Sequence, residues 1–534
     1  EYSVDGSTSS NPFDITEKDM QIQKLHITDD YMINDVFNSD FIPATIGGES
    51  LYGYPMRTVI SESNNTNWDK AVLAMANVNI PYTYEKSLSL PYNVLHTDLK
   101  WSTNTEDKKR ASKYIESILL MLRTKVLLNN GDLSKTEIVW FYPASMTQNR
   151  FNKFKAEWEN TFATLFGAPI SNIIAASESV APYYYHKAKK GATSTVVSVD
   201  IGGGTTDVLI VDKGEPKYLT SFRFAANTIF GDGYSYDSDS NGFVNKYKDI
   251  ITNQLETNNL RGLKAVLKSV LDKRVSTDVI AFLFSLASNK EIKKEKVEIN
   301  FAKMLADDNR GKYVVILFYV AIVYHIAKLM KAKGFDMPRH MTFSGNGSKV
   351  LNILSTNDAT LVRLTKIIFE EIYAQSYSID GLDIIRPANS KESTCKGGII
   401  LTPFQSQDYG EIKDMKTILI GTDNEKFADV HMTYNDVTEA DLDSVVDVIK
   451  EYIEFTFKLD KKFSFYDNFD VDRSIMNKVK DLCYRDIRTY LENGLAIKKS
   501  EIAQDGADDN LEETLFFYPL VGIINAVVRN IYQM

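Results

Sequence analysis

The stretch VVSVDIGGGTTDVLIV at positions 196–211 constrains the fold of this 534-residue chain more than any other. Two β-branched runs, 195–199 and 208–211, read as short buried strands of a hairpin. Gly202, Gly203 and Gly204 between them lack Cβ atoms, which opens backbone angles closed to other residues and lets a ligand approach the amides. Successive N–H groups in such a turn form a concavity for an anion, and Thr205 and Thr206 add hydroxyl donors. Asp200 and Asp207 bracket the turn. A carboxylate approaches phosphate only across a cation, so the pair is read as holding hydrated Mg²⁺ on a nucleotide phosphate. The alternative is a tight glycine hairpin whose aspartates cap turns.

The run is not a P-loop, because the lysine of Gly-x-x-x-x-Gly-Lys-Ser/Thr is absent. Nor is it a dinucleotide fingerprint, because strand follows where helix is required. Its eight residues Asp-Ile-Gly-Gly-Gly-Thr-Thr-Asp, 200–207, are similar to the second phosphate motif of the actin, Hsp70 and sugar-kinase ATPase superfamily, closest to the Hsp70-like and plasmid-segregation actin-like branches. That resemblance implies an α/β, two-lobed actin-like ATPase built from duplicated ribonuclease-H-like halves, with ATP or ADP and Mg²⁺ as ligands.

Other segments extend the resemblance over about residues 40–404. Ala-Ser-Glu-Ser-Val-Ala at 176–181 is similar to the family's first connecting segment, which implies that Glu178 orients or deprotonates the attacking water, alongside Asp200 as the second catalytic group. Without the resemblance, Glu178 reads first as a helix-first-turn glutamate favoured by the dipole. Phe-Ala-Ala-Asn-Thr-Ile-Phe-Gly-Asp-Gly at 224–233 resembles the second connecting segment and implies Gly231, with Gly233, near the phosphates; a structural turn explains the same glycines. Gly345-Asn346-Gly347-Ser348 resembles the adenosine motif, whose small residues let backbone lie on a flat base. Lys349 then falls where Hsp70-like members stack an arginine. The family's opening Asp-x-Gly-Thr-Thr/Ser motif has only a degenerate counterpart, Asp5-Gly6-Ser7-Thr8-Ser9, so binding is expected more firmly than hydrolysis. Alternative readings are a catalytically inactive nucleotide-binding scaffold, an actin-like filament protein and, behind these, a small-molecule kinase.

The rest of the chain bounds the answer. Hydrophobic residues make up 44% and charged residues 25%, which describes a globular chain and excludes overall disorder. A net charge of −10, with no basic cluster carrying interleaved aromatics, argues against a nucleic-acid surface. Only Cys395 and Cys483 occur, too few for a disulfide framework and compatible with a reducing, cytoplasmic setting. The six histidines show no zinc spacing. The apolar run 313–324 is interrupted by His325 and Lys328, and reads as a buried core helix rather than a membrane span. The first residues, Glu-Tyr-Ser-Val-Asp, carry no signal-type segment.

Periodicity divides the chain into an irregular N-terminal arm (1–35), a first α/β lobe (36–190) and a second α/β lobe (191–404). Within the second lobe a helical insertion is expected at about 240–335, and a mainly helical C-terminal extension follows at 405–534. The extension is expected to be an appended domain that docks a protein partner or mediates self-association.

Overall fold

The computed structural model describes residues 131–400, apart from 145, 147, 191–194, 378–380 and 388–389, and residues 432–533 apart from 506–510 and 512. Before residue 131 it describes mainly the strands Met56–Ser63, Val72–Asn79 and Asn93–His96, the helix Thr105–Leu128, and strand pairs of two or three residues within 2–14 and at 45–46. Asp5 and Gly6 of the degenerate motif lie outside the described residues, as does most of the arm and 401–431. The chain forms two compact units.

The unit that holds the glycine hairpin comprises 141–148, 176–248 and 302–534. Its centre is a five-stranded sheet of β1 (Val196–Ile201), β2 (Thr206–Asp212), β3 (Glu215–Phe222), β4 (His340–Ser344) and β5 (Asp383–Ile385), in the order β3-β2-β1-β4-β5. The first three form an antiparallel meander, whereas β4 runs parallel to β1 and β5 parallel to β4. All of β1 is buried, and all of β2 except Asp212. That is why the two strands read as unbroken β-branched runs without alternation. Lys213 and Gly214 join β2 to β3 with φ of 52° and 82°, and two positive φ values in a two-residue loop match the right-handed twist of the hairpin they close.

Helix α1 (Ala226–Phe230) follows β3, and α2 (Lys312–Ala332) runs through the core. Helix α2 is buried without interruption from Lys312 to Ala327. Among the described residues it is the one helix long and apolar enough to cross a membrane, and its burial inside the unit accounts for a sequence apolar all round. The helices of the expected extension pack into this same unit: α3 (Glu439–Phe463), α4 (Ile487–Asp505) and α5 (Phe517–Ile531). Tyr452 donates its hydroxyl to the Leu317 carbonyl at 2.6 Å, and the ring of Phe517 lies 4.0 Å from that of Phe222 on β3. The described helices of 434–533 therefore complete the core around the hairpin's sheet, where the sequence alone suggested an appended body. The helices Val180–Lys190 and Ser390–Ile400 pack closely at Gly397, where an added Cβ would stand 1.8 Å from the Ala181 carbonyl oxygen.

The second unit comprises 1–140, 149–175 and 249–301. Met56–Ser63 is the middle strand of a three-stranded antiparallel sheet. Among the described residues of 36–190 no five-stranded sheet matching β1–β5 is formed, so the expected duplication is not shown. The helices Arg261–Asp272 and Ser276–Ser285 belong to this unit, and Tyr84 donates to Asp278 Oδ2 at 2.5 Å. The block expected as one helical insertion thus spans both units: Arg261–Asp272 and Ser276–Ser285 belong to this one, and the buried helix α2 belongs to the other.

Candidate functional site

The hairpin register sets Asp200 directly opposite Asp207 and Ile201 opposite Thr206. Directly opposed residues project on the same face of a sheet, so the two carboxylates form a cross-strand pair. Gly202 N–H donates to the Thr205 carbonyl at 2.9 Å and closes the turn. Two more of the turn's carbonyls face α1: Ala226 N–H donates to Gly202 at 3.3 Å and Asn227 N–H to Gly203 at 2.8 Å. With those oxygens taken up, Gly203 and Gly204 at the exposed tip present backbone N–H groups that donate to no group among the described residues.

The glycines serve a different need from the one expected. None of Gly202, Gly203 or Gly204 has a positive φ. A Cβ on Gly202 would stand 3.2 Å from the Thr205 oxygen, one on Gly203 3.6 Å from Asn227 Oδ1, and one on Gly204 would meet nothing. Conformational necessity lies in the adenosine-like motif instead. Gly345 has φ 77° and ψ 153°, and its added Cβ would stand 2.2 Å from the Ile201 oxygen and 2.4 Å from Asp200 Oδ1. For Gly347 the corresponding distance to the Gly202 oxygen is 2.1 Å. The two motifs, far apart in sequence, are therefore in backbone contact at the ends of parallel neighbours β1 and β4.

The carboxylates differ in setting. Ser344 Oγ donates to Asp200 Oδ2 at 2.9 Å, and the Ala144 amide to Asp207 Oδ1 at 2.8 Å. Asp200 retains 6% exposure and Asp207 1%, so Asp200 is the better placed to meet an ion from outside. Burial, and then the negative charges of Glu178 and Asp200, push the Asp207 carboxyl up to about 7; the opposing groups, the Ala144 amide and Ser221, are neutral. Glu178 follows the strand Ile173–Ser177, with its amide held by the Tyr142 carbonyl at 3.0 Å. Glu178 and Asp200 thus both act electrostatically on Asp207. Hard oxygen donors and concentrated negative charge suit a hydrated divalent ion that takes one or two carboxylates and keeps its waters. They do not make a complete cage: among the described residues no group of three or more His, Cys, Asp or Glu is arranged to hold a metal.

The remaining expected residues divide. Thr205 is nearly buried, and Thr206 is fully buried with its hydroxyl donated inward to the Phe224 carbonyl at 2.6 Å. The Thr206 hydroxyl is therefore committed to holding β2 against the segment after β3. Gly231 ends α1 at the far side from the hairpin, and its added Cβ would stand 2.3 Å from the Asn227 oxygen, which is a packing reason for glycine. Asn346 opens a 3₁₀ turn, Asn346–Val350, rather than a long helix, and Lys349 on it is exposed. Sequence reading missed Ser344, Ala144 and Asn227. Ser344 was legible as a hydroxyl at the end of a strand leading into the glycine motif, whereas Ala144 and Asn227 act through geometry alone. Two open, shallow concavities of the described residues lie elsewhere, one of about 570 Å³ at Lys109, Lys113 and Asn160, the other of about 600 Å³ at Arg363, Lys366 and Asp383.

No protein-family model matches the sequence, and no curated protein matches it. Among solved structures the chain is similar to the ethanolamine utilization protein EutJ from Carboxydothermus hydrogenoformans, with 11% identity and a TM-score of 0.29, over 72% of this chain and 100% of that one. It is also similar to MreB5 of Spiroplasma citri bound to ADP, with 12% identity and a TM-score of 0.31, over 66% of this chain and 90% of that one. Both likenesses are weak, and the α/β architecture rests on the strand order and register given above.

Proposed function

We propose that the chain is a Mg²⁺-dependent ATP-binding protein of the actin, Hsp70 and sugar-kinase kind, a nucleotide-driven conformational switch with slow hydrolysis. The observation that carries this reading is the seat of Gly345 and Gly347 on the backbone of Ile201 and Gly202. It joins the phosphate-like and adenosine-like motifs at the carboxyl ends of two parallel strands, where open α/β sheets bind ligands. In this reading the tip amides of Gly203 and Gly204 meet phosphate oxygens, Asp200 holds the hydrated ion with Asp207 behind it, and Asn346 and Lys349 border the base. A bound Mg²⁺ would neutralise phosphate charge. Glu178 would orient the attacking water. We further propose that the part of 36–190 outside the hairpin's own unit, 36–140 and 149–175, belongs to the companion lobe.

Titration of the full-length protein with ATP, with and without Mg²⁺, tests the binding. Asp200→Ala is expected to weaken Mg²⁺-dependent affinity at least tenfold, on the order of 1.4 kcal/mol or more. Identical titrations for the two proteins in the presence and absence of Mg²⁺ would remove the ion site. In the same assay Glu178→Gln is expected to keep ATP affinity and slow phosphate release at least tenfold, as for loss of a general base; equal turnover would end that role. The inward commitment of the Thr206 hydroxyl favours a second reading, a nucleotide-binding scaffold without turnover. ATP binding by the parent with no phosphate release would select it.

A further inference from the structure

The end of β3 bends sharply at Arg223: Phe224 N–H donates to the Phe222 carbonyl at 2.9 Å, closing a three-residue turn. This turn is tied to the hairpin on one side. Phe222 is the cross-strand partner of Thr206, Phe224 accepts the Thr206 hydroxyl, and Ala226 and Asn227 donate to the tip carbonyls of Gly202 and Gly203.

On its other side the turn is tied to the C-terminal helices. The Arg223 amide donates to Glu513 Oε2 at 2.9 Å, and the Arg223 guanidinium pairs with Glu501 on α4 at 2.5 Å. Glu513 is 1% exposed; Tyr518 donates to its Oε1 at 3.0 Å, and Lys498 on α4, 4% exposed, stands 3.6 Å away. Phe517 covers the same turn, its ring 4.0 Å from Phe222 and 4.7 Å from Phe224. A carboxylate placed in the interior is tolerated only when paired and hydrogen-bonded, and this one gives an acceptor oxygen to the Arg223 backbone amide.

We propose that the Lys498–Glu513 pair is a positioning element for the phosphate hairpin, holding through Arg223 and α1 the carbonyl directions that turn the Gly203 and Gly204 amides outward. The inference rests on the reading of that hairpin as a phosphate site. Coupling of this kind is reciprocal: nucleotide at the tip and a change at 498–518 must influence each other by the same free energy.

The test uses hydrogen exchange on the full-length protein. Glu513→Gln alone leaves Lys498 buried without its anion and risks unfolding. The informative variant therefore carries Glu513→Gln and Lys498→Met together, which removes both charges and keeps the volumes. Without ligand, the amides of Gly202, Thr206, Ala226 and Asn227 are expected to exchange at least tenfold faster than in the parent, with α2 protection unchanged. Lys498→Arg, which preserves the pairing, is expected to restore parental exchange. Unchanged exchange at the hairpin, or equal loss of protection in α2, would overturn the proposal; the second result would make the pair a general core contact. In a parent that binds Mg²⁺-ATP, the double variant should bind it at least tenfold more weakly, and equal affinity would also overturn the proposal. A parent that does not bind ATP removes the nucleotide reading, while the ligand-free exchange still decides whether the pair holds the hairpin.

Discussion

Gly345→Ala is expected to destabilise the protein by about 2–6 kcal/mol, the combined range for a strained backbone and an overpacked core site. At φ 77° and ψ 153° the residue occupies a region that is essentially restricted to glycine. The new methyl would also stand 2.2 Å from the Ile201 oxygen, 2.4 Å from Asp200 Oδ1 and 2.7 Å from the Ile201 carbonyl carbon. Two of those atoms are backbone inside a paired strand and have no room to retreat. Gly204→Ala is the control, because its methyl meets nothing within 4 Å and its φ is not positive; a change of about 0.5 kcal/mol or less is expected there, as for most surface substitutions. Urea denaturation of both variants beside the parent checks the contrast. Equal losses would mean that the 345–347 motif is not seated on the hairpin.

This contrast shows where the sequence was legible and where it was not. The β-branched runs around the three glycines announced two buried strands, because a strand covered on both faces needs no polar alternation. The composition of the turn announced a close approach. It did not say which glycines were obligatory, since φ and neighbouring atoms are set by the packing of β4 against β1. The β3 strand was missed: it opens with Glu215 and Pro216, tolerable only because β3 is the edge of the sheet, and it pairs across a register shift at Ile210 and Val211. The inward turn of the Thr206 hydroxyl was likewise hidden, because its acceptor at Phe224 belongs to the bend after that missed strand.

The placement of the C-terminal helices had a signal that local reading undervalued. Phe516 precedes the apolar helix α5 and Phe517 opens it, and so much apolar surface needs a partner larger than a short tail provides. The partners proved to be Phe222, Phe224 and His325, the last buried among aromatic rings with its pKa lowered to about 3 by burial. The Lys498–Glu513 pair and its reach to Arg223 were beyond periodicity altogether. A contact between residues 223 and 513 depends on the global course of the chain.

Asp207→Asn is expected to stabilise the ligand-free protein at pH 8, by an amount that shrinks towards zero near pH 4. In the folded protein the Asp207 carboxyl is pushed up to about 7 from an ordinary 3.8, first by burial and then by Glu178 and Asp200. Between those values the folded state keeps a proton that the unfolded state has lost. The slope of unfolding free energy with pH follows the protons bound by the unfolded minus the folded state, so this group's contribution is fully present below the unfolded pKa, falls as pH rises, and is lost through the folded pKa. A shift of about three units corresponds to at most about 4 kcal/mol, and asparagine, which stays neutral and still accepts from the Ala144 amide, does not incur it. Urea denaturation at pH 5 and pH 8 should therefore show the variant gaining over the parent by about 2–4 kcal/mol more at the higher pH. Parallel stability curves would show that Asp207 is not held in a site that resists its charge. Saturating Mg²⁺-ATP supplies the counter-test: a cation favours the charged carboxylate, so it should stabilise the parent far more than the variant at pH 8. A site that is costly to keep empty and charged, and relieved by a bound ion, is the electrostatic behaviour required of this hairpin if it holds a metal nucleotide.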